Sequence, residues 1–368
     1  MRFSSRPLLR AFSPLLALLL VACASDGGDG LGCADAPYAD EGPWAAGVTS
    51  LDVDGLPVEV WYPAEPDAVA GLERASYDMV DWLPPDLARN VPVDADTVFV
   101  MDAYRDVPAA AGPFPVVYFS HGISGFRTQS SALTAHLATW GYVVVAPEHP
   151  ERNLTQILED QPVRDDAYSQ ILAAHAFMQA ENEAASGRFA GRLDFARVAV
   201  MGHSAGGGAV QALFDDSDLG ATAWVGLATV AAPTSETGAG LIMGGTTDGL
   251  ATPELTQRTY DDANAPTKRL VVIQDAGHLA FSDICLIGAE QGGVIAIAER
   301  AGFEVPDLVL MLAQDGCRET DLPVREAWPV IDHYVTAHLE AAFGASSAGL
   351  ADASAACFGG RVASYLHP

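Results

Sequence analysis

From Phe114 onward the hydrophobic positions follow two alternating rhythms. Short, continuously apolar runs are FPVVYFS (114–120), YVVVAP (142–147), RVAVM (197–201), AWVGLATVA (223–231), GLIMGG (240–245) and RLVVIQD (269–275). Between or after them lie segments of helical periodicity: SALTAHLATWG (131–141), much of 165–183, the stretch from Ala205, and VREAWPVIDHYVTAHLEAAF (324–343). A strand that is apolar at every position is buried on both faces, and intervening helices supply the cover. The pattern therefore predicts an α/β fold, with a mainly parallel central sheet and helices on both sides. Ahead of it, SLDVDGLPVEVWYP (50–63) alternates around Asp54-Gly55 and reads as a β-hairpin with a tight turn. Residues 64–112, rich in Pro and Asp, read as a long excursion over the surface. Residues 279–323 are apolar, bracketed by Cys285 and Cys317, and read as a cap-like insert between the last strand and the last helix.

The amino-terminal stretch follows neither rhythm. Arg2, Arg6 and Arg10 precede a run from Leu15 to Val21 that is too short to span a membrane, so residues 1–22 read as an export signal. Its end, Leu20-Val21-Ala22-Cys23, resembles a bacterial lipobox, which implies cleavage before Cys23 and acylation of that cysteine. Residues 23–44 then read as a lipidated cysteine and flexible tether, with the Gly/Asp-rich ASDGGDGLG at 24–32, leading into a single catalytic domain at 45–368. The expectation is a protein of the bacterial cell envelope held at a membrane surface, with the leaflet left open.

Two composition facts narrow the field. The formal net charge is −29 and Lys268 is the only lysine, so phosphate backbones are repelled and nucleic-acid binding is excluded. Of five cysteines, four remain beside Cys23, an even number in an exported chain, which argues for two disulfides. Of the three pairings we favour Cys285–Cys317, close in sequence, with Cys33–Cys357 joining the two ends.

In open parallel sheets, chemistry sits just beyond the carboxyl ends of strands. The segment RVAVMGHSAGGGAV (197–210) sets Ser204 there, in a G-x-S-x-G context. Glycines at such a turn serve either a tight reversal alone or a strained elbow that lifts a serine hydroxyl above the sheet. A serine needs a base. Of nine histidines, His278 in AGHLAFSD follows a strand directly, while His136, His175, His333 and His338 lie on helices and His203 points away inside the elbow. The base needs a carboxylate: Asp248, in GTTDGLATP, is favoured over Asp275, too near His278 in its own strand end, and over Asp283. Backbone N–H groups of Ala205 and of Ile123, in SHGISGF (120–126), are the oxyanion donors. No metal or organic cofactor is required. Trp82 and Phe126 suit either a site or the core, Trp140 the core, and Arg127 a solvated surface.

Taken together, VVYFSHGISGF, GHSAGGG, GTTDGLATP and AGHLAFSD resemble the α/β-hydrolases. The nearest groups are platelet-activating-factor acetylhydrolase-like esterases and bacterial cutinase or polyester hydrolases, followed by dienelactone-hydrolase-like proteins. The resemblance implies that Ser204, Asp248 and His278 form a triad and that Ile123 supplies the second oxyanion donor. Polyester hydrolases commonly carry an aromatic residue where Ile123 stands, and dienelactone hydrolases a cysteine where Ser204 stands, so the chain departs from both. The function expected is a serine carboxylic-ester hydrolase acting on an apolar or lipid-like ester. The alternatives are a polyester hydrolase, an acyltransferase or a serine peptidase on the same triad, and, from another class, a non-catalytic surface-binding lipoprotein.

Overall fold

A computed structural model describes residues 33–216 and 218–368. The export signal, Cys23 and the tether at 24–32 lie outside the described residues. Ten strands form one sheet: β1 (Ala45–Val53), β2 (Leu56–Ala64), β3 (Tyr104–Arg105), β4 (Phe114–Ser120), β5 (Val143–Pro147), β6 (Leu193–His203), β7 (Ala221–Leu227), β8 (Ala239–Gly245), β9 (Thr267–Ile273) and β10 (Val362–Leu366). Their spatial order is β10-β9-β8-β7-β6-β4-β5-β2-β1-β3. The six strands β4 to β9 run parallel, whereas β2 joins β5, and β10 joins β9, in antiparallel fashion.

The β1–β2 hairpin closes at Asp54-Gly55, both at positive φ, with Val53 opposite Leu56. Asp52 accepts the Gly55 N–H at 2.8 Å, so this acidic pair serves the turn. Alternate residues of each buried strand feed two separate cores. Val117, Phe119, Ala199 and Met201 face one side; Val116, Tyr118, Val198 and Val200 face the other. Helices α1 (Ser131–Thr139) and α7 (Val324–Ala342) cover the first face, α2 (Ala167–Glu183) and α3 (Gly206–Asp216) the second.

One topological feature places the site. The chain leaves β4 for β5 on one side and then crosses back to build β6 on the other, so strand order reverses between β4 and β6. Ser120 pairs with Gly202 in that register, and the loops after β4 and β6 emerge side by side at the carboxyl edge.

The structure departs from the sequence expectations in several places. The excursion at 64–112 is not merely superficial: 76–78 and 98–100 form a β-ribbon, and Tyr77, Trp82, Phe99 and Met101 are buried in the first core. Residues 33–44, expected as part of the tether, belong to the folded domain: Tyr38 packs edge-on against Trp140 at 4.7 Å and Cys33 is bonded to Cys357. The strand expected at 223–231 ends at Leu227, where Ala228 turns to φ 47°. The edge strand β10 escaped notice because it is five residues long and only partly buried. The insert consists of short 3₁₀ turns followed by α5 (Gly293–Arg300) and α6 (Asp307–Gln314). Helix α4 (Pro253–Asp262) connects β8 to β9. Among the described residues no helix is long and apolar enough to cross a membrane.

Candidate active site

The small residues around Ser204 are explained by space. Ser204 sits at φ 56°, the left-handed region that side chains avoid, one residue beyond β6. A Cβ on Gly202 would run into the carbonyl of Gly206, and one on Gly206 into the carbonyl of Ser120. Strand, turn and helix are therefore packed backbone to backbone, and the serine is held in the strained conformation by its surroundings. Its N–H donates to the Leu227 carbonyl at 2.9 Å, tying the elbow to the neighbouring strand.

Three side chains from three strand ends meet at this point. Ser204 Oγ lies 2.9 Å from His278 Nε2, and His278 Nδ1 lies 3.0 Å from Asp248 Oδ2 and 3.2 Å from Oδ1. Asp248 Oδ1 also accepts the N–H groups of Leu250 and Ala251, each at 2.8 Å. A carboxylate on Nδ1 requires the proton there, which leaves the Nε2 lone pair facing the serine hydroxyl. Burial pushes the Asp248 carboxyl upward, but His278 and the two backbone donors outweigh it and hold the group below the usual carboxylate range.

Ile123 lines the same cavity as Ser204, and Ala205 follows the serine in the chain; among the described residues neither backbone N–H makes a hydrogen bond. The loop that carries Ile123 comes close because Gly122 has no side chain; a Cβ there would sit 2.9 Å from Ser204 Cβ. Arg152 anchors that loop, donating to the His121 carbonyl at 2.6 Å and to Ser120 Oγ at 2.8 Å, and its carbonyl accepts the Ser124 N–H at 2.9 Å.

The rival carboxylates are engaged elsewhere. Asp275 is exposed and accepts from Gln274 at 2.6 Å. Asp283 is fully buried at the start of α1, accepting the N–H groups of Ser131 (2.8 Å) and Ala132 (3.2 Å) and the Ser131 hydroxyl. Both disulfides, Cys285–Cys317 and Cys33–Cys357, are formed, with Cα separations of 5.1 and 5.8 Å. Arg127 is not a solvated surface residue. It bonds Glu148 at 3.1 Å and lies over the Trp82 ring, which in turn stacks on Phe126 at 4.4 Å.

Two residues support the site through contacts that the sequence does not show. His203, buried beside the serine, faces the His278 carbonyl through Nε2 at 3.0 Å and Gln129 through Nδ1 at 2.9 Å; burial pushes its pKa down to about 3, so it stays neutral. Asp315, in the insert, accepts the His278 backbone N–H at 3.0 Å. His203 occupies the variable position before the serine in G-x-S-x-G and Asp315 lies outside any motif; only the assembled fold shows what each of them touches.

A cavity of about 340 Å³ opens onto Ser204 and His278. Its walls come from the excursion (Met79, Leu83), the oxyanion loop (Ile123, Phe126) and the insert (Ile297, Val309). Among the described residues, no lysine or arginine lines it, and Glu304 is its one carboxylate.

Comparison with known proteins bears on this geometry. Residues 97–186 match the family model for platelet-activating factor acetylhydrolase, isoform II, a span that holds the β4 loop but not Ser204. Over 110 residues the chain is 28% identical to a Methylorubrum extorquens protein that carries the name carboxymethylenebutenolidase; this spans 29% of the chain and 38% of that relative's length. A ferulic acid esterase from Streptomyces cinnamoneus superposes with a TM-score of 0.55 at 19% identity, covering 83% of this chain and 92% of that one. The architecture is the α/β-hydrolase fold.

Proposed function

We propose that the protein is a serine carboxylic-ester hydrolase whose substrate carries an uncharged, apolar acyl group. The observation that carries the proposal is the line Asp248–His278–Ser204, 3.0 and 2.9 Å between partners, at the foot of the apolar cavity. Ser204 Oγ attacks the ester carbonyl carbon while His278 Nε2 takes its proton. Asp248 stabilises the imidazolium. The N–H groups of Ile123 and Ala205 bond the oxyanion of the tetrahedral intermediate, and Ala205 adds the positive end of the α3 dipole. His278 then protonates the leaving alcohol, and the acyl group stays on Ser204. A water, deprotonated by His278, repeats the attack and frees the acid.

The wall of the cavity supports the choice of acyl group. A carboxylate drawn into it would lose its hydration and meet no cation, at a cost of several kcal/mol. At about 340 Å³ the cavity is at the small end of ligand sites, which span roughly 300–1,000 Å³. A fluorophosphonate probe should label the wild type and not Ser204→Ala. Turnover of p-nitrophenyl esters should fall on the order of 10⁴-fold in that variant. Across the ester series, activity should peak at uncharged acyl chains and vanish for a terminal carboxylate. Full activity in Ser204→Ala ends the proposal. Export and lipid attachment through Cys23 belong to the same reading: Cys23→Ala should move the protein from the membrane fraction to the soluble one. Acyl transfer to added alcohols is the second use of the same acyl-enzyme, and product analysis separates it from hydrolysis.

A further inference from the structure

We infer that Asp315 is a positioning residue whose single carboxylate sets the spacing between the proposed base and its acid; the inference rests on the Ser204–His278–Asp248 reading. Asp315 is 2% exposed and belongs to the insert, far from either loop in sequence. Its two oxygens divide their work. Oδ1 accepts the backbone N–H of His278 at 3.0 Å, and Oδ2 accepts that of Gly249, the residue next to Asp248, at 2.8 Å. Its own carbonyl takes the Leu279 N–H at 2.8 Å. The loop after β8 and the loop after β9 are thereby gripped by the two ends of one rigid, planar group.

The group is itself braced. Asp321 Oδ2 accepts the N–H groups of Gly316 (3.0 Å) and Arg318 (3.1 Å), and its Oδ1 accepts from the Thr247 hydroxyl at 3.3 Å, one residue before Asp248. A Cβ on Gly277 would strike the Gly316 backbone and lie 2.7 Å from Asp315 Oδ1, so the turn and the base loop meet without slack. The Cys285–Cys317 bond fastens the turn two residues further on. A carboxylate is the residue type this geometry demands. It presents an acceptor at both ends, whereas an amide in either orientation sets an NH₂ against one of the two backbone donors.

The test uses the full chain, p-nitrophenyl butyrate and complete pH profiles for wild type, Asp315→Asn, Gly249→Ala and Ser204→Ala. In Asp315→Asn the plateau kcat should fall about 10- to 100-fold, as for a reacting group displaced by up to an ångström, with KM within about twofold because the cavity wall is untouched. In Gly249→Ala the new Cβ arrives 3.1 Å from Asp315 Oδ2 and loosens the grip from the acid side. Its loss should be of the same kind and smaller, roughly three- to tenfold. Plateau kcat at the wild-type value in the folded variants, with only the melting temperature lowered, overturns the inference. If Asp315→Asn does not fold, Gly249→Ala alone decides it. Turnover persisting in Ser204→Ala is a different failure, that of the triad reading itself.

Discussion

Replacing Asp248 by asparagine tests the hydrogen-bond logic of the site with a change of almost no volume. In the wild type Oδ1 holds two backbone donors, Leu250 and Ala251, at 2.8 Å each, and Oδ2 faces His278 Nδ1 at 3.0 Å. An asparagine must keep its carbonyl oxygen toward the two donors, since its NH₂ cannot accept from them. The NH₂ is then forced to face Nδ1. Nδ1 can accept that contact only by giving up its proton, which moves to Nε2 and points at Ser204 Oγ, 2.9 Å away. Two hydrogen donors then face each other across the base–nucleophile contact, and the serine proton has nowhere to go. Loss of the right tautomer costs on the order of 10⁴ in kcat in a serine triad, or ~5 kcal/mol of transition-state stabilisation. The assay is the steady-state hydrolysis of p-nitrophenyl butyrate, with the labelling rate of a fluorophosphonate as an independent measure of Ser204 reactivity. KM should change little, because the cavity is unaltered. An Asp248→Asn protein within about tenfold of wild-type kcat refutes the tautomer argument and with it the assignment of Asp248.

Three other expectations follow from single contacts. Gly122→Ala places a methyl 2.9 Å from Ser204 Cβ, pushes the Ile123 donor off the oxyanion, and should lower kcat by about 10²-fold with the fold intact by circular dichroism. Breaking Cys285–Cys317 by double replacement with alanine frees a loop closed over 32 residues of sequence separation, which costs about 3–4 kcal/mol in the chain-entropy account and about 5 °C in melting temperature. Asp283 concerns pH. Burial pushes its carboxyl up to about 7, against a reference near 3.8, so the folded state favours the protonated form. The stability this contributes is complete below about pH 4 and is lost as pH rises through 7, on the order of 4 kcal/mol in total. Asp283→Asn does not titrate, so urea melts from pH 4 to 8 should show its stability gaining on the wild type as pH rises; parallel curves contradict the assignment.

Much of the site could be read before folding because its members obey local rules. Ser204, Asp248, His278 and Ile123 each stand one to five residues beyond a strand, and the strands announce themselves as continuous apolar runs. The crowding of small residues at 202–208 reports a backbone reversal that leaves no space for side chains. Arg127 departs from its expected place on a solvated surface because a lone arginine in a loop carries no sign of the buried Glu148 that it meets. The excursion at 64–112, buried in part, departs from its expected surface course for a related reason. Tyr77, Trp82 and Phe99 stand in short segments broken by Pro and Asp, and no sustained period shows that they share one core.

The sequence by itself determined the parallel centre of the sheet, the order of those strands along the chain and the chemical character of each of their ends. These depend on hydrophobic periodicity and backbone sterics, which act over a few residues. Only the tertiary structure decided how far apart the strand ends lie, what walls the cavity, and that Asp315 reaches back to bind the backbones of His278 and Gly249. Those are contacts between segments tens to hundreds of residues apart. They are made when burial of apolar surface closes the chain on itself, and no local pattern encodes which distant partner each group will meet.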